Sequence, residues 1–422
     1  MTAEAPSAGF GSLSDIRIID LTQMLAGPYG TMILADHGAE VIKVEAPEGD
    51  MTRGAGPYRK DDSKRVLGGY FQSIDRNKRS LCLDLKQEAG RAAFLKLIAK
   101  ADAVTENFRA GVMERLGLGY EVLREINPRI VYGALRGFGD KRTGASPYLD
   151  WPAFDVVAQA MGGIMAITGP DGVTPTKVGP GVGDIVPGMM LAFGVLAAVH
   201  HARRTGEGQF VDVAMTDAVL AVCERMVYQH SVRGVISAPE GNHHPFIVPF
   251  GMFPAADGFV TIAAQQPAFF TVLCERLDAP QLAKDPRFAT PDERNRHRKE
   301  LIAVLSEQTH RFTKAELAAR LGGRIPYGPV MNIAEIAGDP HFSIREMIVP
   351  VEQPGSVTPI EVAGVPIKMT VTPGGVRRRA PLLGEDTIAA LREAGLEENE
   401  IATLIANRAA IACKEEENDK SP

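Results

Sequence analysis

Cysteine is scarce in this chain of 422 residues: four in all, Cys82, Cys223, Cys274 and Cys413. They are far apart and form no CxxC pair, so neither a disulfide framework nor a zinc site is indicated. Reduced thiols in a cytoplasmic protein are expected. Positive charge is not in excess either. Lys and Arg total 46 against 52 for Asp and Glu, a net charge of −6. A nucleic-acid partner, which needs a basic face, is not expected. No apolar run reaches the ~20 residues of a membrane span. The longest, Ile185 to Val199, holds Pro187, Gly188 and Gly194 and reads as a buried helix, so no membrane partner is expected. The start, MTAEAPSAGFGS, lacks the charged region and apolar core of a signal peptide. Common catalytic signatures are missing too: there is no Walker sequence, no HExxH and no GxSxG. His200-His201 and His243-His244 lack an acidic partner at ligand spacing, so no metal is expected.

What is present is a globular composition, 45% hydrophobic, at a length that favours two or three domains. Strand-like and helical segments alternate. Arg17–Asp20 reads as a strand, Gly27-Pro28 opens a helix closed by Gly38, and 40–45 is a second strand. Strands at 80–85, 102–105, 130–135 and 209–214 and helices at 87–100 and from 111 continue the pattern. This alternation predicts an α/β fold with a doubly wound parallel sheet, whose ligands sit beyond the carboxyl ends of the strands. From 218 to 345 the pattern reads as a smaller α+β domain, with helices near 269–277, 299–311 and 314–321. Residues 346–372 read as a return linker and 384–405 as helix. Residues 1–12 and 411–422 are expected to be a disordered leader and tail.

Three features could carry chemistry. Asp184 stands between the Gly-rich stretch 179–183 and a long helix. The bland reading is a helix N-cap. The functional one is a carboxylate kept ionised by the helix N-terminus and open to a substrate across glycine, able to attack an acyl carbon. The second feature is basic: Lys78, Arg79, Lys86, Arg91, Arg109, Arg115 and Arg136 fall in the sheet-forming half, several at strand ends. Singly each reads as solvated surface; together they fit the phosphates of coenzyme A or a dinucleotide. The third is Gly241-Asn242-His243-His244, a surface loop or a mobile lid. The first turn after a strand reads LAGPYG, which is not GxGxxG, so Glu45 is weak evidence for a ribose-binding acid.

Several segments together resemble a known family: LAGPYG at 25–30, GAEVIKVEAPEGDMTRG at 38–54, NKRSLCLDLK at 77–86 and ENFRAGVMERLGLGYEVLREINPRIVY at 106–132. FDVVAQAMGG at 154–163, GDIVPGM at 183–189, TGEGQFVDVAM at 205–215, GNHHP at 241–245 and APLLGED at 380–386 extend the likeness from about residue 13 to 408. The chain resembles the class III coenzyme A transferases, the family of formyl-CoA:oxalate and carnitine CoA-transferase. The resemblance implies a Rossmann-like large domain over 13–217, completed by 373–410, and a small domain from the middle of the chain. It implies an obligate homodimer of two interlocked rings. It makes Asp184 the nucleophile, with coenzyme A at Leu25-Ala26, Leu83-Asp84-Leu85-Lys86, Asn107-Phe108-Arg109, Arg115, Phe154 and Met215, and a substrate loop at Gly241–His244. It implies no permanent cofactor, with an acyl-CoA such as succinyl-CoA and a small carboxylic acid as substrates. Three positions depart from the oxalate enzyme: the loop keeps one glycine, Leu25 replaces a glutamine and Ala46 an arginine.

Rival readings are weaker. An α-methylacyl-CoA racemase needs a proton-transfer group on each face of the α-carbon. Its histidine position is Phe154 here. A nicotinamide-dependent oxidoreductase lacks its glycine fingerprint, and a non-catalytic CoA-binding protein would not need the GD loop.

Overall fold

A computed structural model describes residues 10–413; most of the expected leader and tail, residues 1–9 and 414–422, lies outside the described residues. The chain divides into two compact units. One holds the residues up to 164, 178–227 and those from 341 onward; the other holds 165–177 and 228–340. Where a break was expected at 218, the two units part between Val227 and Tyr228, inside the helix Glu224–Arg233, and a short segment at 165–177 also joins the second unit.

In the first unit, short apolar runs become strands β1 (Arg17–Asp20), β2 (Glu40–Glu45), β3 (Arg79–Leu83), β4 (Ala103–Glu106), β5 (Val131–Arg136) and β6 (Phe210–Ala214). They pair in parallel in the order β3-β2-β1-β4-β5-β6. Successive side chains bury on opposite faces, as a strand's period of two requires. Ile19, Ile42, Val104 and Tyr132 enter one hydrophobic cluster, while Ile18, Val41, Ala103 and Val131 enter the other. The expected doubly wound parallel sheet is thus present. Strand order reverses between β1 and β4, the switch point where such sheets leave a crevice.

Four helices matter for the site: α1 (Ala26–Asp36), α2 (Glu88–Ile98), α3 (Asp155–Met161) and α4 (Val182–Thr205). α4 is long and apolar enough to span a membrane by length and composition alone. It nevertheless buries Leu191, Val195, Ala198, Val199 and Ala202 in a core cluster, as the sequence reading expected.

The second unit, taken by itself, folds β7 (Phe250–Ala255), β8 (Gly258–Ala263) and β9 (Tyr327–Pro329) into an antiparallel sheet. Phe253, Val260, Phe270, Leu305 and Leu317 are buried in its core. Back in the first unit, the expected linker carries an antiparallel pair, β10 (Ile348–Val351) and β11 (Ile360–Ala363). The single helix expected over 384–405 is two, Thr387–Ala394 and Glu398–Ala406, parted at Gly395 (φ +94°). Beyond them β12 (Ala410–Ile411) adds antiparallel to β3, so ordered chain continues into the stretch expected to be tail.

Candidate active site

A cavity of about 460 Å³ opens beyond the carboxyl ends of β1, β4 and β5. The turn after β1 supplies Gln23, Met24, Leu25 and Ala26; the turn after β4 supplies Asn107, Phe108 and Arg109. These two turns are clipped together by one side chain. Asn107 Oδ1 accepts from Gln23 N–H at 2.8 Å, and its Nδ2 donates to Gln23 O at 2.7 Å. Both amide groups of Asn107 are therefore engaged within the protein, and it shapes the switch point.

Charges beneath the turns are neutralised internally. Asp20, fully buried at the end of β1, accepts from Thr22 Oγ1 (2.5 Å), Thr31 Oγ1 (2.7 Å), Thr105 Oγ1 (3.1 Å) and Lys78 Nζ (3.1 Å). Burial alone would raise its pKa, but Lys78, Lys43 and the hydroxyls hold it down at about 2. Glu45 pairs with Arg53 at 2.6 Å and is buried, so it is not free to hold a ribose. The basic cluster read from the sequence is largely engaged in the same way. Lys78 is fully buried between Asp20 and Asp75, Arg79 pairs with Glu40 and Glu393, and Arg91 donates to the Leu85 and Lys86 carbonyls. Arg109 and Arg115 are exposed on the cavity wall.

Asp184 reaches the cavity from α4. The N-cap of α4 is Gly181, and Asp184 is the third helical residue, so the N-cap reading is corrected. Asp155 does the capping instead: its Oδ1 accepts from Gly183 N–H at 2.8 Å. Gln159 holds Asp155 by its Nε2 (2.9 and 3.0 Å) and takes Val178 N–H on its Oε1 at 2.9 Å, tying the Gly-rich stretch to α3. The helix itself is set by a close crossing on α1. A Cβ on Gly30 would lie 2.4 Å from Gly188 O, and one on Gly188 would lie 2.4 Å from Ala26 O. Only glycine permits that approach.

Asp184 is half-buried. Burial, with the Asp155 charge added, pushes its carboxyl up to about 6. The ionised state that the helix start was expected to favour is thus opposed by desolvation and like charge. Next to it, Tyr70 is pushed up to about 12 by burial and by Asp184.

Of the residues expected in the site, Leu25, Ala26, Asn107, Phe108, Arg109, Arg115, Phe154, Met215 and Asp184 line this one cavity. Leu83, Asp84, Leu85 and Lys86 do not; Asp84 turns back onto Lys86 N–H and Gln87 Nε2, both at 3.0 Å, as the chain enters α2. Gly241, Asn242, His243 and His244 belong to the second unit. There the Met252 N–H donates to Asn242 O at 2.9 Å and the His244 N–H to Phe250 O at 2.8 Å, which fastens the loop to β7. Tyr70 and Trp151 line the cavity unforeseen. No motif marks them, and chain folding alone brings them there.

A half-buried carboxyl group whose pKa is raised by burial therefore shares one cavity with arginines at the switch point of a parallel sheet. The chain belongs to CoA-transferase family III, whose family model matches residues 13–387. It is 49% identical over 389 residues to the succinyl-CoA:mesaconate CoA-transferase of Haloarcula hispanica, covering 92% of this chain and 97% of that one. It is 37% identical over 400 residues to the succinyl-CoA–D-citramalate CoA-transferase of Chloroflexus aurantiacus, covering 94% and 97%. Among solved structures, a CAIB/BAIF family protein from Brucella suis matches with a TM-score of 0.82 at 34% identity, over 91% of this chain and 100% of that one. The protein is a class III CoA-transferase, with acyl-CoA and a carboxylate as its substrates.

Proposed function

We propose that this enzyme moves coenzyme A from succinyl-CoA, or a similar acyl-CoA, to a small dicarboxylic acid through covalent intermediates on Asp184. The observation that carries the reading is the half-buried Asp184 carboxylate in the cavity wall, with its pKa raised by desolvation. Dicarboxylates also appear in the names of the relatives acting on mesaconate and D-citramalate.

The steps follow from the carboxylate's chemistry. Asp184 attacks the thioester carbonyl, giving a mixed anhydride and CoA thiolate. The thiolate attacks the aspartyl carbonyl, releasing the donor acid and leaving an aspartyl-CoA thioester. The acceptor carboxylate attacks that thioester, freeing thiolate again and forming a second anhydride. CoA then attacks the acceptor's acyl carbon, which restores Asp184. Acylation neutralises a charge that burial disfavours, so part of the desolvation cost is relieved as the anhydride forms. α1 begins at Ala26, with Leu25 as an N-cap that makes no side-chain cap, and Ala26 at the cavity wall offers its N–H to steady each oxyanion. Arg109 and Arg115 suit the CoA phosphates. Leu83–Lys86 suit the adenine in this reading, and Gly241–His244 are its substrate loop. No permanent cofactor takes part.

The same reading makes the protein a cytoplasmic, interlocked homodimer. Apolar side chains left open on α4, Phe193 at 76% and Met189 at 44%, and on the return segment, Val371 at 87%, support a covering partner copy.

Incubation with succinyl-CoA followed by hydroxylamine tests the mechanism. A hydroxamate at Asp184, absent in Asp184→Asn, is the expected mass-spectrometric result. An unmodified Asp184 with α-carbon deuterium exchange would favour the racemase instead.

A further inference from the structure

Three arginines line the catalytic cavity, and they differ in setting. Arg109 and Arg115 are exposed; Arg136, at the end of β5, is only 8% exposed. Its guanidinium is fixed from behind. Nη2 donates to Glu106 Oε1 at 2.5 Å, and Nη1 pairs with Asp140. Both carboxylates are anchored in turn. Glu106 accepts from Phe108 N–H at 2.7 Å, and Asp140 accepts from Arg142 N–H at 2.9 Å and from Arg142 Nη1 at 3.1 Å. Asp140 also donates its N–H to Asp212 at 2.8 Å. The group cannot follow a flexible ligand outward as a surface arginine does; it presents one fixed cationic position in the cavity wall.

The pairing around Arg136 leaves one donor unused. Asp140 is shared between Arg136 and Arg142, and Arg142 also meets Glu114 and Glu121. Glu106 lies fully buried beneath, beside the Tyr132 hydroxyl, and burial pushes its pKa up against the pull of Arg136. Arg136 therefore sits between two carboxylates, one of them shared, while its Nε has no partner. A buried arginine costs several kcal/mol to desolvate, and apolar replacements often serve a purely structural site as well or better. Here the arginine is kept in a cavity that also holds the nucleophile.

We propose that Arg136 is the specificity residue that binds the second carboxylate of the small acid, so that the site selects dicarboxylates over monocarboxylates of equal length. The inference rests on the CoA-transfer reading above and names the residue that sets its substrate class.

The test uses the full-length enzyme with succinyl-CoA as donor and three acceptors of one length: glutarate, its half-amide and pentanoate. The wild type is expected to prefer glutarate over the other two by at least about tenfold in kcat/KM, the scale on which a site built for a polar group rejects an analogue lacking it. Arg136→Gln is expected to raise the KM for glutarate and to collapse that preference, while Arg136→Lys retains part of it. Because Arg136→Gln leaves buried carboxylates without their partner, the pair Arg136→Gln with Glu106→Gln gives a neutral, near-isosteric version of the same test. A wild type that uses pentanoate as well as glutarate overturns the proposal, as does a neutral pair that keeps the wild-type preference. Hydroxylamine trapping from succinyl-CoA separates the two readings. Unlabelled Asp184 defeats covalent transfer itself, whereas labelled Asp184 without acid discrimination defeats only the role of Arg136.

Discussion

A single carboxyl group carries both the reactivity and the stability consequences at Asp184. Its folded pKa, about 6, lies above the ordinary 3.8 of an aspartate. Nucleophilic attack needs the ionised form, so kcat/KM for acylation is expected to fall below an apparent pKa near 6, where an ordinary aspartate would hold its rate down to about pH 4. A pH profile of hydroxamate formation checks this. The sign for stability is opposite to that of a salt-bridged acid. A folded pKa above the unfolded one means the folded state binds the proton more tightly. The stability from that proton is fully present below about pH 4 and is lost as pH rises through about 6. Asp184→Asn is therefore expected to be inactive yet more stable at pH 7, by about 1–2 kcal/mol, in denaturant titrations. Asp184 stood out as a candidate at the junction of a Gly-rich stretch and an apolar helix, but position alone favoured a helix cap, and only the resemblance made it the expected nucleophile. Its partner did not stand out. Asp155 acts across 28 residues of chain, through a hydrogen bond to Gly183 that no spacing rule announces. Asn107 was legible as a site residue, but its clasp on Gln23 was not.

At the level of elements, Asp184 is placed by two helices rather than by its loop. α1 and α4 meet backbone to backbone at Gly30 and Gly188. Gly30→Ala would drive a methyl group to 2.4 Å from the Gly188 carbonyl oxygen. The expected result is a loss of about 1–3 kcal/mol from overpacking. The same shift moves Asp184 against Ala26, and a displacement near 1 Å can cost up to about a hundredfold in rate. Thermal denaturation and the acylation rate measured on one preparation check both halves. The parallel strands were legible because each is a buried apolar run between turn residues. α3 was not, since its DVVAQAM sequence is short and carries Asp and Gln that work inside the fold. β12 escaped because two residues, Ala410 and Ile411, hold no periodicity to read.

At the scale of the whole molecule, the expected homodimer makes a distinctive prediction. If two rings interlock, dilution cannot separate them without unfolding a chain. Sedimentation at nanomolar concentration is expected to show a dimer throughout, and a monomer–dimer equilibrium there would remove the interlocked arrangement. The fold class was legible in the strand–helix alternation, but the use of both chain ends in one sheet rested on resemblance, because no local pattern reports a partner 300 residues away. That long reach is built from specific pairs. Arg79 meets Glu393 at 2.8 Å, Ser80 N–H meets Asp386 at 3.0 Å, and Gln72 takes Ala380 N–H at 3.0 Å.

These pairs have a consequence for how the protein is made. The open edge of β3 is covered by β12, and the helix Thr387–Ala394 lies against it, so the sheet edge is closed by residues made long after β3 itself. A growing chain with every residue of the cavity already synthesised still carries a bare strand edge until Ala410 and Ile411 follow. A product cut short before Ala410 keeps that edge bare and is exposed to aggregation and proteolysis.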